Sequence, residues 1–278
     1  TTQSFGNSGD FAYNGAAVVS ADVPGNPGLL DDLIPVALTD GEAAFNTGGN
    51  SDHTLNSANT VNDGNYHHIV VTRQQATGEK KIYIDGVLDS NDFDEANVLN
   101  SPSLLTIGAK MDASQTDPAF GDPQNGYEGL LDDLQIYSSI LTPSQVSYLF
   151  THPGNVVPTS AGSSGGHTNI AHYRFDDGGD LGHDDSGNDN NFSSGSSWGL
   201  PLHEYDQIGA AGSGGVRFYG VSSMTHAPPN ESFTNITTVT ANSFSLSLWI
   251  KTEEVVGNDT DDALNGAVVI WQYESGID

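Results

Sequence analysis

The chain lacks cysteine and is poor in basic residues. Its 278 residues include no Cys, and 7 Lys and Arg stand against 36 Asp and Glu, which gives a formal net charge of −29. Without Cys, neither a disulfide nor a thiolate zinc site can form. Nucleic acids and anionic membranes are bound through Lys and Arg, so this surface suits neither partner. We therefore expect no nucleic acid binding and no membrane insertion.

Long apolar runs are also missing. No stretch approaches the roughly 20 apolar residues that a membrane-spanning helix needs. The start, TTQSFGNSGD, lacks Met and the basic and apolar regions of a signal peptide, so we expect a mature or excised piece of a longer chain. The acidic excess favours solubility in salty surroundings, Asp ligands for a hard cation such as Ca²⁺, or both.

The chain does contain many short apolar segments. In SFSLSLWIK, Phe244, Leu246 and Leu248 alternate with Ser, which predicts a strand with one buried face. Such segments, separated by Gly, Asn, Asp, Ser and Pro, indicate an all-β protein built as an antiparallel sandwich. Strands are predicted at 16–20, 34–38, 42–46, 68–73, 81–84, 104–107, 131–137, 170–175, 215–219, 243–251 and 267–273.

One short helix is predicted within LTPSQVSYLF. Thr142 suits the N-cap, Pro143 the first helical position and Gln145 the third, which is a capping box. The following segment, 151–168, is rich in Pro, Gly and Ser and is interpreted as a linker.

Two groups of motifs resemble the two halves of one known domain. YHHIVVTR, KKIYIDGVL, SLLTIGA and YEGLLDDLQIY resemble the second half of a laminin-G-like, concanavalin-A-like domain. AHYRFDD, GGVRFYG and SFSLSLWIKT resemble the first half of the same domain. The resemblance implies a jelly-roll β-sandwich, but the halves stand in reversed order along the chain.

This order divides the chain into 1–150 (second half), 151–168 (linker) and 169–278 (first half). Three interpretations are open: a circular permutant, an excised piece of two tandem repeats, or two small sandwiches. We expect one closed, circularly permuted domain, because a half-sandwich would expose an apolar face and strand edges. GAAVVSA at 15–21 and GAVVIWQ at 266–272 are alike, which suggests an overlap between neighbouring repeats.

The loop FDDGGDLGHDDSGNDNN, residues 175–191, is the first candidate site. Carboxylates this dense repel one another unless cations or hydrogen bonds offset their charge, although a solvated, turn-forming loop is the plain alternative. The resemblance implies a structural Ca²⁺ near this loop and near the adjacent Asp pair of LLDDLQIY. The expected ligands are Asp176, Asp184, Asn188, Asn190 and one of Asp132 or Asp133.

The loop at 109–129 is the second candidate site, for a glycan or another cell-surface ligand, with a variable surface loop as the alternative. Its expected ligand-binding residues are Asp112, Asp117, Gln124, Asn125 and Tyr127.

No catalytic arrangement is recognisable. The chain has no Glu-x-Asp-x-x-Glu run, and adjacent residues of a strand point to opposite faces, so Asp132 and Asp133 are not expected to act as a pair. We expect a non-enzymatic, extracellular, calcium-binding laminin-G-like module that binds a glycan or a cell-surface ligand and has neighbouring repeats. The alternatives are a structural spacer rigidified by Ca²⁺ and an accessory module of a glycan-degrading enzyme.

Overall fold

The computed structural model describes residues 12, 15–20, 33–47, 53–96, 105–109, 126–158, 168–192, 202–205, 214–219, 224–226 and 242–252. The predicted strand at 267–273 and residues 159–167 of the linker lie outside these residues. The elements before the linker are β1 (Ala16–Ser20), β2 (Leu33–Thr39), β3 (Glu42–Thr47), β4 (Thr54–Thr60), β5 (Tyr66–Gln74), β6 (Glu79–Ile84), β7 (Val87–Phe93), β8 (Leu105–Ile107), β9 (Glu128–Tyr137) and α1 (Pro143–Thr151). The later strands are β10 (Asn169–Tyr173), β11 (Leu202–Tyr205), β12 (Gly214–Tyr219), β13 (Met224–His226) and β14 (Phe244–Thr252).

These strands form two antiparallel sheets, as the sequence predicts. One sheet has the order β13-β8-β1-β2-β3-β4, and the other has the order β11-β12-β9-β14-β5-β6-β7. The long strand β9 pairs with β12 along its first half and with β10 along its second half. Strands from both sides of the linker therefore lie in the same sheets, whereas permutation itself stays a hypothesis.

The main core lies between the two sheets. It joins Val36 and Phe45 of one sheet to Val71, Leu134 and Leu246 of the other, and none of these side chains is more than 1% exposed. The alternating apolar residues of the strands form this layer, because every second side chain of a strand faces the same side.

A smaller core lies on the outer face of the eight-stranded sheet, where α1 covers it. Val146 and Leu149 of the helix are buried there against Val70, Tyr83 and Tyr137. The capping box is confirmed: the Thr142 side chain accepts from the Gln145 backbone N–H, and Gln145 Oε1 accepts from the Thr142 backbone N–H at 2.8 Å. The helix buries that face of the sheet.

Four observed strands were not predicted: β4, β7, β11 and β13. β4 and β7 have the sequences TLNSANT and VLDSNDF, which are polar, and both strands are at sheet edges. An edge strand can form with little apolar content because only part of its surface is covered. The hairpin turn before β6 needs glycine, since Gly78 has φ of +73° and a Cβ would lie 1.9 Å from the Asp94 carbonyl oxygen.

Candidate functional site

Asp184 organises the acidic loop that follows β10. Its Oδ1 accepts from the backbone N–H groups of His172 (2.9 Å) and Ser186 (3.0 Å). Its Oδ2 accepts from Ser186 Oγ (2.8 Å) and from the Asn190 backbone N–H (3.0 Å). A carboxylate has about four acceptor sites, so these donors use all of them. Asp184 therefore ties the loop to β10 and has little acceptor capacity left for an ion.

Asn188 and Asn190 meet at the main-chain carbonyl of Ile170. This oxygen accepts from Asn190 Nδ2 (2.7 Å) and Asn188 Nδ2 (3.2 Å), and Ser186 Oγ lies 3.2 Å from it. Asn190 is fully buried, and its Oδ1 has no hydrogen-bond partner among the residues that the structure describes. An unsatisfied buried acceptor costs about 1–3 kcal/mol, so its presence calls for a physical reason.

Asp176 lies in another part of the same loop. Its carboxylate is 3.4 Å from Arg174 Nε. It lines a cleft of about 170 Å³. The other described residues of this cleft are Arg174, Phe175, Asp177, Asp180, His183 and Asp185. The cleft is open and acidic, whereas the Asn190 amide is enclosed.

Asp133 is on the outer face of the eight-stranded sheet. Its Oδ1 accepts from Gln135 Nε2 at 2.8 Å and is 2.6 Å from His172 Nε2, and its Oδ2 accepts from the Gly154 backbone N–H at 2.8 Å. Asp133 and His172 are 3% and 5% exposed. Asp133 therefore fastens β10 and the segment after α1 to β9.

Asp132 is fully buried on the same side, which corrects the expectation of opposite faces. Ladder pairing shifts between Ser247 and Trp249, and Asp133 has φ of +48°, so β9 carries a bulge here. Asp132 is directly opposite Trp249, whose ring stacks on Phe150 of α1 with centroids 5.7 Å apart. Opposed residues share a face, so Asp132 also lies on the helix side.

Burial also lowers the pKa of His68, which lies beside Trp249. His68 Nε2 is 2.9 Å from Ser247 Oγ, and its ring is 5.0 Å from the Trp249 ring, centroid to centroid. Burial lowers the pKa of His68 from 6.5 to about 4, although the charges of Asp133 and Asp85 act in the opposite direction. His68 is therefore a neutral structural residue at pH 7.

The expected calcium ligands thus occupy three places. Asp184, Asn188 and Asn190 lie together in the loop, Asp176 lines the acidic cleft, and Asp132 and Asp133 are on the outer face of the eight-stranded sheet. No three His, Asp or Glu side chains of the described residues converge as a metal-binding group. Of the three places, the one around Asn190 holds an enclosed amide oxygen that has no hydrogen-bond partner among the described residues, and amide oxygens are among the ligands that Ca²⁺ accepts.

The expected ligand surface is only partly described. Asp112, Asp117, Gln124 and Asn125 lie outside the described residues. Tyr127 is fully buried, its hydroxyl donates to the Leu130 carbonyl at 2.7 Å, and its ring centroid is 6.0 Å from that of Phe218. Tyr127 is therefore a core residue in this structure, because it precedes β9 and points between the sheets instead of towards solvent.

One surface feature was missed from sequence. A cleft of about 350 Å³ lies where the edge strands β4 and β7 meet. Val87 is 69% exposed there, and the His67 ring is between two carboxylates, 2.9 Å from Asp85 and 3.1 Å from Asp63. The cleft was not predicted because both edge strands have polar sequences that do not read as strands. The Asp85-Gly86 turn is the one sequence signal at its position.

Comparison with known proteins agrees with this architecture. The laminin G family model of the concanavalin A-like lectin/glucanases superfamily matches residues 7–147. The chain belongs to this superfamily. Membership supports a carbohydrate- or ligand-binding module in general, and laminin-G-like domains are usually non-enzymatic and typically extracellular. No described helix is long and apolar enough to cross a membrane.

One curated protein is similar in sequence to part of this chain. The rat (Rattus norvegicus) protein "Sushi, von Willebrand factor type A, EGF and pentraxin domain-containing protein 1" is 27% identical over 103 residues, which are 36% of this chain and 3% of the relative. The chain therefore spans only a small fraction of that relative's length. No solved structure matches the chain.

Proposed function

We propose that the chain is an extracellular, calcium-binding laminin-G-like module that binds a glycan or another cell-surface ligand and has neighbouring repeats. The observation that carries the calcium part is the buried Asn190 Oδ1, which has no partner among the described residues. A cation at this place would give that oxygen a partner and would offset part of the net charge of −29. Both effects favour Ca²⁺ binding.

The proposed ligand set comes from the loop after β10. Asn190 Oδ1 is the first proposed ligand, and the Asn188 side chain and the Ser186 hydroxyl are proposed as the others, because all three side chains contact the Ile170 carbonyl. Asp184 supports them by holding Ser186 and Asn190. Because none of these ligands carries a charge, we expect weak binding, with Kd on the order of 10⁻⁴–10⁻³ M, as in extracellular modules.

The ligand itself is proposed to bind at loop 109–129. Asp112, Asp117, Gln124 and Asn125 remain the proposed contacts, whereas Tyr127 is removed from the set by its burial. We propose no catalytic activity. Asp132 and Asp133, the adjacent carboxylates of the central strand, are buried on one face, and Asp133 is held by three donors, which supports a structural role.

A structural spacer is the second candidate. The burial of Tyr127 favours it, since the one described aromatic residue of the expected ligand loop is not available to stack on a sugar. In that case Ca²⁺ would only stiffen the loop after β10, and the module would bind no glycan.

A glycan screen in the presence and absence of calcium separates these candidates. The chain is applied to immobilised glycans in a few millimolar Ca²⁺ and again in EDTA, with Asp112→Asn/Asp117→Asn as the test variant and Asp63→Asn/Asp89→Asn as a charge-matched control. Retention that needs Ca²⁺ and is lost only in the test variant supports ligand binding at loop 109–129. No retention on any glycan, together with stability that depends on Ca²⁺, supports the spacer.

A further inference from the structure

Strand β14 fills a gap in the middle of the eight-stranded sheet. It pairs with β5 from Phe244 opposite Arg73 to Lys251 opposite Tyr66, and it pairs with β9 on its other edge. In the sheet order β14 separates β5 from β9. We call the gap between β5 and β9 the strand slot.

β14 also supplies the centre of the core. Phe244, Leu246, Leu248 and Ile250 are all fully buried between the sheets. On the other face, Ser245 Oγ accepts from the Leu141 backbone N–H at 2.9 Å, just before α1. Without β14, the slot would have two unpaired strand edges and an open core, which is a surface that recruits another strand.

The strand that fills the slot comes from a distant part of the sequence. The family match ends at residue 147, whereas β14 begins at residue 244. The sequence that follows β14, GAVVIWQ at 266–272, resembles GAAVVSA at 15–21, which contains β1. β14 is therefore followed along the chain by a segment similar in sequence to the one that contains β1, and the covalent path from β9 to β14 runs through the linker and through β10 to β13.

We propose that the strand slot is an intermolecular interface, which β14 of a second copy of this chain fills in exchange for the chain's own β14. The ladders and core contacts are the same in both arrangements, so the choice depends on how the segments are connected. A short flexible connection within one chain gives the tethered strand an effective concentration in the millimolar range at its own slot. We therefore expect the chain's own β14 to dominate in dilute solution and exchange to increase when unfolded chains refold together at high concentration.

Single-cysteine variants test this exchange. Val70 on β5 is directly opposite Ser247 on β14, and the chain has no native Cys to interfere. Opposed residues of an antiparallel pair have Cα atoms about 4.5–5.5 Å apart, which is within disulfide range. Chains carrying Val70→Cys and chains carrying Ser247→Cys are mixed unfolded, refolded at several concentrations and oxidised, and the products are separated without reductant.

A disulfide-linked product of twice the chain mass, enriched at least tenfold over a Val87→Cys plus Ser247→Cys mixture and increasing with concentration, supports exchange. Val87 is the control because it is exposed on β7, two strands away from β5. The double variant Val70→Cys/Ser247→Cys should form the same bond within one chain. If that variant forms no bond, the register is wrong and the proposal fails; if it does but the mixture gives no product above the control at any concentration, exchange is excluded.

This inference does not depend on calcium or on a glycan. Refolding in EDTA and in Ca²⁺ should give the same linked product, so failure of the calcium site would leave the exchange intact. A linked product that forms only in Ca²⁺ would contradict the proposal as stated.

Discussion

Two buried polar regions of this chain satisfy their oxygens differently. On the outer face of the eight-stranded sheet, the Asp133 carboxylate has His172, Gln135 and Gly154 as partners. In the loop after β10, the equally buried Asn190 amide oxygen has no partner among the described residues. Buried carboxylates therefore do not by themselves indicate a metal site, because protein donors can use all their acceptor capacity. An unused oxygen is the stronger indication.

The largest expected change in the free energy of unfolding comes from removing the Asp133 carboxylate and the hydrogen bonds that it accepts. Asp133→Ala should lower the free energy of unfolding by about 3–5 kcal/mol, because it leaves His172, Gln135 and the Gly154 N–H buried without their acceptor. Urea denaturation measures the change. Asp63→Ala is the control, since its side chain is 50% exposed and should cost less than about 1 kcal/mol. A loss below 1 kcal/mol for Asp133→Ala would mean that this region does not hold the sheet.

The next largest effect is a pH dependence of the free energy of unfolding, caused by His68 on the same outer face of the sheet. Burial lowers the pKa of His68 from 6.5 to about 4. Between pH 4 and pH 6.5, His68 is therefore protonated in the unfolded chain and neutral in the folded chain. Stability should therefore fall as pH drops from 6.5 to 4, with about 3 kcal/mol attributable to His68. His68→Gln should remove that part of the slope, measured by urea denaturation at several pH values.

His183→Gln is the matched substitution at an exposed histidine, because that side chain is 56% exposed, and its pH series is measured beside that of His68→Gln. Equal slopes for His68→Gln and the unchanged chain would contradict the assignment of the pH effect to burial of His68.

A smaller effect is expected at α1, the helix on the same outer face of the sheet. Thr142→Ala removes the N-cap acceptor and should cost about 1 kcal/mol in urea denaturation. Because the helix is on the outer face of the sheet and away from the loop, the response to Ca²⁺ should be unchanged. A variant that loses the Ca²⁺ response would show that the two regions are coupled.

The smallest change in the free energy of unfolding is expected for Asn190→Ala, which is compared with Asp133→Ala. In EDTA, Asn190→Ala removes a single hydrogen bond, from Nδ2 to the Ile170 carbonyl, together with an oxygen that has no described partner. We expect a loss of about 1 kcal/mol or less, because the two contributions partly cancel. A loss as large as that of Asp133→Ala, measured in the same urea series, would mean that Asn190 is already satisfied without an ion.

The inner core was predictable from sequence, and the outer face was not. Alternation in β14 correctly placed Phe244, Leu246 and Leu248 in the core. It also predicted a single buried face, but Ser245 and Ser247 are buried too, because α1 and the residues before it cover them. Local sequence shows which side chains are apolar and cannot show which polar face a distant helix will cover.

The candidate site shows the same limit. The Asx-rich composition of 175–191 located the loop and three residues that meet in it, Asp184, Asn188 and Asn190. It could not separate Asp184, whose oxygens are used by protein donors, from Asn190, whose oxygen is not. The bulge at Asp133 also has no local signal, since it results from the shifted pairing of β9 with a strand over 100 residues away.

The central claim is that Ca²⁺ binds beside Asn190, and thermal unfolding of the full chain tests it most directly. The melting temperature is measured in EDTA, in excess Ca²⁺ and in equal Mg²⁺, for the unchanged chain, Asn190→Ala and the control Asp89→Asn. A ligand at a hundredfold excess over its Kd stabilises the folded state by about 2.7 kcal/mol. The account predicts a Ca²⁺-specific rise for the unchanged chain and for Asp89→Asn that is absent in Asn190→Ala. An equal rise in all three proteins, or none in the unchanged chain, would contradict it.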